Sequence, residues 1–308
     1  MARSSTQTGI LLALVCLLIL GVMPVISNGR PAGFSALGFA VYLSLWQWLF
    51  ATPLYLREAT RSRRTARPQP HTGRARAVML FTGILFGIAT WLYVLGAERA
   101  GAVSAAIAIQ AYPLFAILWE TLFLKRGKTL PELALTGLLV VALYFLGTSG
   151  TWQIDGFSPW FFVALGVPFL WSIAHVIIRE ELSRSPITPA EITFARVAIS
   201  SVFLLLVGAL VAPAELIQPL TRPDFQLFAL VMGLVYYLEL LIWFHAVRFI
   251  DVSLASSITT PWPAVTMALA ALLLGDAIAA YQVATFLIVV FCIYGLTLLS
   301  LRKERAAT

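Results

Sequence analysis

Apolar residues fall in ten continuous runs along the chain, at residues 9–27, 36–56, 77–97, 101–124, 132–149, 159–179, 190–211, 225–247, 252–274 and 278–301, each bounded by charges, glycine or proline. The runs do not alternate apolar with polar positions, as the strands of a membrane barrel would. Most have the roughly 20 residues that a helix needs to cross a hydrocarbon layer. The pattern predicts an all-α integral membrane protein with ten transmembrane helices. Of the 308 residues, 60% are hydrophobic and 11% charged, so ten spans leave only connections and no separate soluble domain. The first run lacks the small-x-small site of a cleaved secretory signal, and is read as the first span.

Charge sets the expected orientation. A net charge of +7 on a globule would suggest nucleic acid or an anionic surface, but its placement suggests topology instead. With the N-terminus inside, 17 of the 21 lysines and arginines fall in cytoplasmic segments, as the positive-inside rule requires. Arg30, Arg99 and Arg222 lie outside and Arg196 lies within a span. Both termini are therefore expected in the cytoplasm. The arginine-rich stretch at 57–76 reads as a loop that fixes topology rather than a nucleic-acid patch, because it joins two spans. Cys16 and Cys292 sit in apolar runs at opposite ends of the chain, which argues against a disulfide framework or a metal cluster; no cofactor is expected.

Sliding the sequence against itself by 150 positions brings Gly83 onto Gly233, Ala105 onto Ala255, Pro113 onto Pro263, Leu122 onto Leu272, Leu124 onto Leu274 and Tyr144 onto Tyr294. The apolar runs and loop lengths coincide as well. Residues 1–150 and 151–308 each form a five-span repeat on this reading. An odd number of spans makes the second half enter the membrane from the opposite side, the inverted repeat that many secondary transporters use around a central cavity.

The segment DVSLASSITTPWPAVTMALAALLLGD at 251–276 is echoed by GAVSAAIAIQAYPLFAILWETLFLKR at 101–126. Small residues lead into a proline within the span and then an apolar half-helix. This pattern resembles the drug/metabolite transporter superfamily and its ten-helix EamA-type exporters. The second copy ends in Gly275 and Asp276, similar to the family's Gly-acidic ending, whereas the first ends in Lys125 and Arg126 and departs from it. As a whole the chain is similar to the YddG-type branch. The resemblance implies export of amino acids, aromatic and other neutral ones, across a bacterial inner membrane by alternating access.

A proline within a span lacks one backbone donor and crowds the preceding turn, releasing carbonyls that lipid cannot satisfy. Pro113, Pro261 and Pro263 are therefore either substrate-lining breaks or packing kinks. Beside them lie Gln110, Tyr112, Ser256, Ser257, Thr259, Thr260 and Trp262, a polar and aromatic mixture suited to an amphipathic substrate. Trp46 in the second span, Trp171 and His175 in the sixth, and Tyr236, Glu239 and Trp243 in the eighth complete the candidate substrate-binding set. The aromatic residues either stack on a substrate or pack a core. Glu239 and His175 are either titratable groups serving protons or a substrate ammonium, or structural polar groups. Arg196 reads as a side chain that snorkels or pairs with a helix end.

The expected partners are a small-molecule substrate (amino acids or amphipathic metabolites), the lipid bilayer and protons; nucleic acid is not among them. Export of cationic or lipophilic drugs is the competing transport reading. An intramembrane enzyme is more distant: Gly127-Lys128-Thr129 lacks the first glycine of a phosphate loop, since Leu122 stands there, and no H-E-x-x-H occurs. The topology is checked by reporter fusions after Arg64 and after Thr308. Both are expected to report the cytoplasmic face; a signal from the opposite face at either position would remove the orientation.

Overall fold

The computed structural model describes residues 2–65, 73–123, 129–153, 158–184, 189–246, 249–250, 255 and 258–307. Every regular element among them is helical: α1 Ala2–Asn28, α2 Ala36–Thr65, α3 Gly73–Ala100, α4 Ala102–Ile109, α5 Tyr112–Phe123, α6 Leu130–Gly147, α7 Pro159–Arg184, α8 Pro189–Val211, the short α9 Ala214–Ile217, α10 Pro223–Ala246, α11 Trp262–Leu269 and α12 Ala280–Ala307. Seven helices are long and apolar enough to cross a membrane, and Pro159–His175 and Trp262–Leu274 are shorter apolar ones. The all-helical membrane architecture expected from the hydropathy pattern is what forms.

Eight of the ten expected spans correspond to continuous helices, including three with an internal proline, Pro24, Pro53 and Pro168. The fourth and ninth are broken. In the fourth, α4 ends at Ile109, Gln110 and Ala111 form a turn, and α5 restarts at Tyr112 with Pro113 in its first turn. In the ninth, Thr260 and Pro261 form the turn and α11 restarts at Trp262, again with proline second. The breaks fall 150 residues apart. They also share a hydrogen bond: the Leu114 N–H donates to the Ala111 carbonyl at 2.9 Å and the Ala264 N–H to the Pro261 carbonyl at 3.0 Å. Proline suits the start of a helix because its missing N–H would have no partner there.

The chain divides into two compact units, neither of which is a continuous half of the sequence. One comprises Met1–Gly29, Gly96–Phe169 and Leu238–Thr308; the other comprises Arg30–Leu95 and Leu170–Tyr237. The first unit is built on a core in which α4, α6 and α12 supply Val103, Ile107, Leu139, Leu143, Val289 and Cys292. Hydrogen bonds tie its helices, among them Thr266 Oγ1 to the Gly21 carbonyl at 2.8 Å and Gln282 Nε2 to Ser104 Oγ at 3.0 Å. Between lipid-facing helices hydrophobic drive is weak, so close approach of small residues and polar ties carry the association. Gly101 joins α3 to α4 at φ 83°, and Gly275 ends the π-helical extension Ala270–Leu274 at φ 72°; both conformations favour glycine. At the start of α6 the Glu132 carboxylate accepts from the Thr129 N–H at 2.6 Å and from its hydroxyl at 2.9 Å, capping the helix.

In the second unit α2 packs on α8, and Ser201 Oγ donates to the Ser44 carbonyl at 2.8 Å. Ser200 Oγ does the same to the Gly83 carbonyl of α3 at 2.7 Å. At one end Phe225 is enclosed by Phe34, Phe39 and Tyr42, while Ser35 donates to the Glu215 carboxylate and Tyr42 to the Leu216 carbonyl. Elsewhere Arg74 pairs with the buried Glu181 at 3.4 Å. An apolar groove of about 310 Å³ runs between α3 and α8, lined by Leu80, Ile84, Ile199 and Phe203 among others. Its wholly aliphatic and aromatic lining suits lipid chains rather than a polar solute.

At Gly233 of α10 a neighbouring backbone comes close. A Cβ there would stand 2.7 Å from the Leu43 carbonyl oxygen and 2.9 Å from the Gln47 nitrogen, backbone atoms that cannot turn aside. Gly233→Val is expected to destabilise the protein by about 1–3 kcal/mol through overpacking, read as a lower thermal midpoint in detergent. Gly137→Ala, where nothing lies within 4 Å, is expected to be neutral or slightly stabilising. Equal midpoints for both variants would contradict the packing account.

Candidate functional site

The first unit brings the two helix breaks together. Gln110, in the turn of the fourth span, donates from Nε2 to the Thr260 carbonyl in the turn of the ninth at 3.0 Å, and both residues are buried. These two residues are repeat equivalents, 150 positions apart. A residue that touches its own equivalent lies at the local axis relating the copies, so the axis passes through this bond. The interaction satisfies one carbonyl of the broken α11 turn, as a medium without water requires. Thr259 and Trp262 are buried beside it, and Tyr112 and Pro261 are half-buried. Ser256 and Ser257 lie outside the described residues.

On α10, Tyr236, Glu239 and Trp243 follow at spacings of three and four and share a helix face. Glu239 is half-buried in the first unit, where the Cys16 thiol donates toward its Oε1 at 3.7 Å and toward its carbonyl at 3.9 Å. Trp243 packs with Ala13, Ala246, Ile250 and Ala255. It therefore holds α1 against α10 in that unit, whatever else it contacts.

The second unit gathers an aromatic cluster. Tyr93 of α3 lies 6.4 Å from Trp171 of α7, their rings nearly parallel, and 6.0 Å from Tyr236 of α10. Tyr93 and Tyr236 are buried. The indole Nε1 of Trp171 is also buried and has no hydrogen-bond partner among the described residues, and the same is true of the Gln47 amide Nε2 on α2. Unpaired buried donors cost free energy and are few in a folded protein. One turn after Trp171, His175 sets its ring 5.5 Å from Phe86. The Arg196 guanidinium stands 3.6 Å from the centre of the same phenyl ring. Trp46 is half-buried and donates to Gln226 Oε1 at 3.1 Å.

The predicted residues thus fall into two sets: Gln110, Tyr112, Pro113, Glu239, Trp243, Thr260, Pro261 and Trp262 in one unit, and Trp46, Trp171, His175 and Tyr236 in the other. Four residues outside the predicted set join them. Tyr93 and Gln47 carried a signal, an aromatic and an amide in mid-span beside tryptophans. Arg196 reads as a snorkelling side chain from its place near the start of a span, but it stacks on a buried ring. Cys16 carried none. Among the described residues no group of three or more histidine, cysteine or acidic side chains is placed to hold a metal.

A family model described as the EamA-like transporter family matches residues 7–148 and again residues 158–300. The two matches take in the two broken spans, one each. A solved crystal structure is similar to the chain with a TM-score of 0.63 at 16% identity, covering 96% of this chain and 97% of its own; that likeness bears on the fold alone. No curated relative matches the chain in sequence.

The bond at the repeat axis generates a test. Gln110→Leu removes the donor and leaves the buried Thr260 carbonyl without it, which is expected to cost about 1–3 kcal/mol. Thermal unfolding in detergent should show the loss, with faster amide exchange confined first to the 258–264 turn. Unchanged stability and exchange would mean that the carbonyl has a better partner elsewhere.

Proposed function

Because the chain belongs to the EamA-like transporter family, and is thus a multi-pass membrane transporter of small molecules of the drug/metabolite type, we propose that it exports amino acids, aromatic and other neutral ones, by alternating access. On this proposal it works in a bacterial inner membrane with both termini in the cytoplasm, as a member of the YddG-type branch. The observation that carries the substrate class is the cluster of Tyr93, Trp171 and Tyr236 with its buried indole donor. Aromatic faces stack on an apolar or aromatic side chain while edge N–H and O–H groups meet polar atoms, a combination that fits an amphipathic solute.

The two five-span repeats and their paired breaks support a cycle in which inverted halves rock about a fixed site. Glu239 supports either a proton-binding role or recognition of the substrate ammonium, with His175 as the second titratable group. Export of cationic or lipophilic drugs is the second reading; Glu239 is what favours it, since one intramembrane carboxyl suits a cation.

Purified protein in liposomes, loaded with labelled tryptophan, phenylalanine and leucine or with a lipophilic cation, separates the readings. Saturable amino-acid exchange is expected, with Trp171→Ala raising the half-saturation concentration by about three- to tenfold, the size of an aromatic contact. Glu239→Gln is expected to flatten the pH dependence of net transport while leaving exchange. Movement of the cation with no amino-acid exchange would decide for the drug reading.

A further inference from the structure

We propose that the groove between α3 and α8 holds one acyl chain of an anionic phospholipid, whose headgroup phosphate is bound by Arg76. The site lies on a face turned to lipid and is independent of what the protein transports.

The groove has a fixed floor. A Cβ on Gly83 of α3 would stand 2.6 Å from the Ile199 side chain of α8, and one on Gly87 would stand 2.8 Å from Phe203. The absent side chains are what let the two helices touch. Ser200 Oγ pins the contact by donating to the Gly83 carbonyl at 2.7 Å. Both pairings advance together along the chain, so α3 and α8 run parallel and begin at the same membrane surface. Above the floor, α3 supplies Leu80 and Ile84 while α8 supplies Ala198, Val202 and Leu206. Leu80, Val202 and Leu206 are 55%, 45% and 57% exposed, and both helices are long and apolar enough to span a membrane, so what they are exposed to is hydrocarbon. From Ala198 to Leu206 the helix rises about 12 Å, and a single extended hydrocarbon chain can lie along it.

The headgroup end is set by charge. Arg76 precedes Leu80 by one turn, at the spacing that puts two side chains on one helix face. Its Cβ tilts toward the start of α3, and therefore toward the membrane surface. Arg76 is exposed, and among the described residues it has no ion pair or hydrogen bond. The other charges nearby are engaged: Arg74 pairs with the buried Glu181 at 3.4 Å, and Glu191 in the first turn of α8 has its own interaction. A free cation at the mouth of an apolar groove matches a molecule with an anion at one end and hydrocarbon at the other. Guanidinium binds phosphate through its planar fork of donors. In a zwitterionic phospholipid an ammonium competes for that phosphate, whereas an anionic one has no such rival. The arginines elsewhere in the 57–76 stretch raise the concentration of anionic lipid at this surface, from which the groove selects.

The repeat adds an independent observation. The equivalent of Arg76, 150 residues later, is Gln226, a neutral side chain that accepts from the Trp46 indole and donates to the Pro219 carbonyl. In the equivalent helix pair, α10 and α2, this position therefore serves the interior of the protein. In α3 it carries a charge turned outward.

Native mass spectrometry of the purified full-length protein reads retained lipid directly, with phosphatidylglycerol and phosphatidylcholine of the same oleoyl chains as probes. The wild type is expected to hold phosphatidylglycerol about fivefold more tightly than phosphatidylcholine, the contribution of one charge at a membrane surface. Arg76→Gln is expected to bring that ratio to about one, while Arg57→Gln, at an exposed position on α2 near the same surface, leaves it unchanged. Ala198→Phe, which fills the groove, is expected to weaken retention of both lipids severalfold. A wild-type ratio near one overturns the proposal. So do equal losses in Arg76→Gln and Arg57→Gln, which would mean diffuse attraction by surface charge. Retention unchanged in Ala198→Phe places the lipid elsewhere and overturns it too. Should Ala198→Phe fail to fold, Leu80→Gln, at a half-exposed position, takes its place with the same expected loss.

Discussion

Lipid cannot hydrogen-bond to a peptide group, and that single fact governs where this chain may depart from helix. Three prolines lie inside continuous helices, while two others stand at the restart of broken spans. What distinguishes the broken pair is the partner supplied for the released backbone. Short-range bonds tighten the end of α4, from the Gln110 and Ala111 N–H groups to carbonyls three residues back, and the Gln110 amide reaches the carbonyl of Thr260. The breaks persist because each is satisfied from within the protein.

The same constraint explains the packing chemistry. With no solvent to squeeze apolar surfaces together, helices are tied by hydroxyls that reach carbonyls on neighbouring helices, as from Ser200, Ser201 and Thr266, and by glycines that let backbones touch. Two amides do the same work, from Gln110 to the Thr260 carbonyl and from Gln282 to the Ser104 hydroxyl. Glu239, Arg196, Gln47 and Trp171 stand out against this background because their chemistry exceeds what holding helices together requires.

Much of the architecture is legible in the sequence because hydrophobicity in a membrane is a direct requirement on each segment. Run length and placement predict the spans, and Pro113 and Pro263 mark the fourth and ninth as unusual. Pro53 and Pro168 show the limit of that signal: a proline predicts a missing donor, not a broken helix. The candidate site is less legible. Arg196 near the start of a span is indistinguishable by position from a snorkelling side chain, and its contact with Phe86 joins residues 110 positions apart in sequence. Cys16 meets Glu239 across 223 positions. Such pairings are set by how helices face one another, which a periodic apolar pattern leaves open when nearly every face is apolar. The compact units, each assembled from pieces of both halves, are hidden for the same reason.

The bond at the repeat axis is unequal: position 110 contributes a side chain, whereas position 260 contributes only its main chain. A duplicated segment begins with identical residues at both places, and a symmetric arrangement there would put two long amides in competition for the same space. Once one copy supplies the donor, the other is released to become smaller, and the pressure to keep an amide rests on a single copy. Drift after duplication is then directional, with the first half bound to glutamine and the second free to explore any residue whose carbonyl stays in place. Two halves of one gene thereby acquire different histories from a single shared contact.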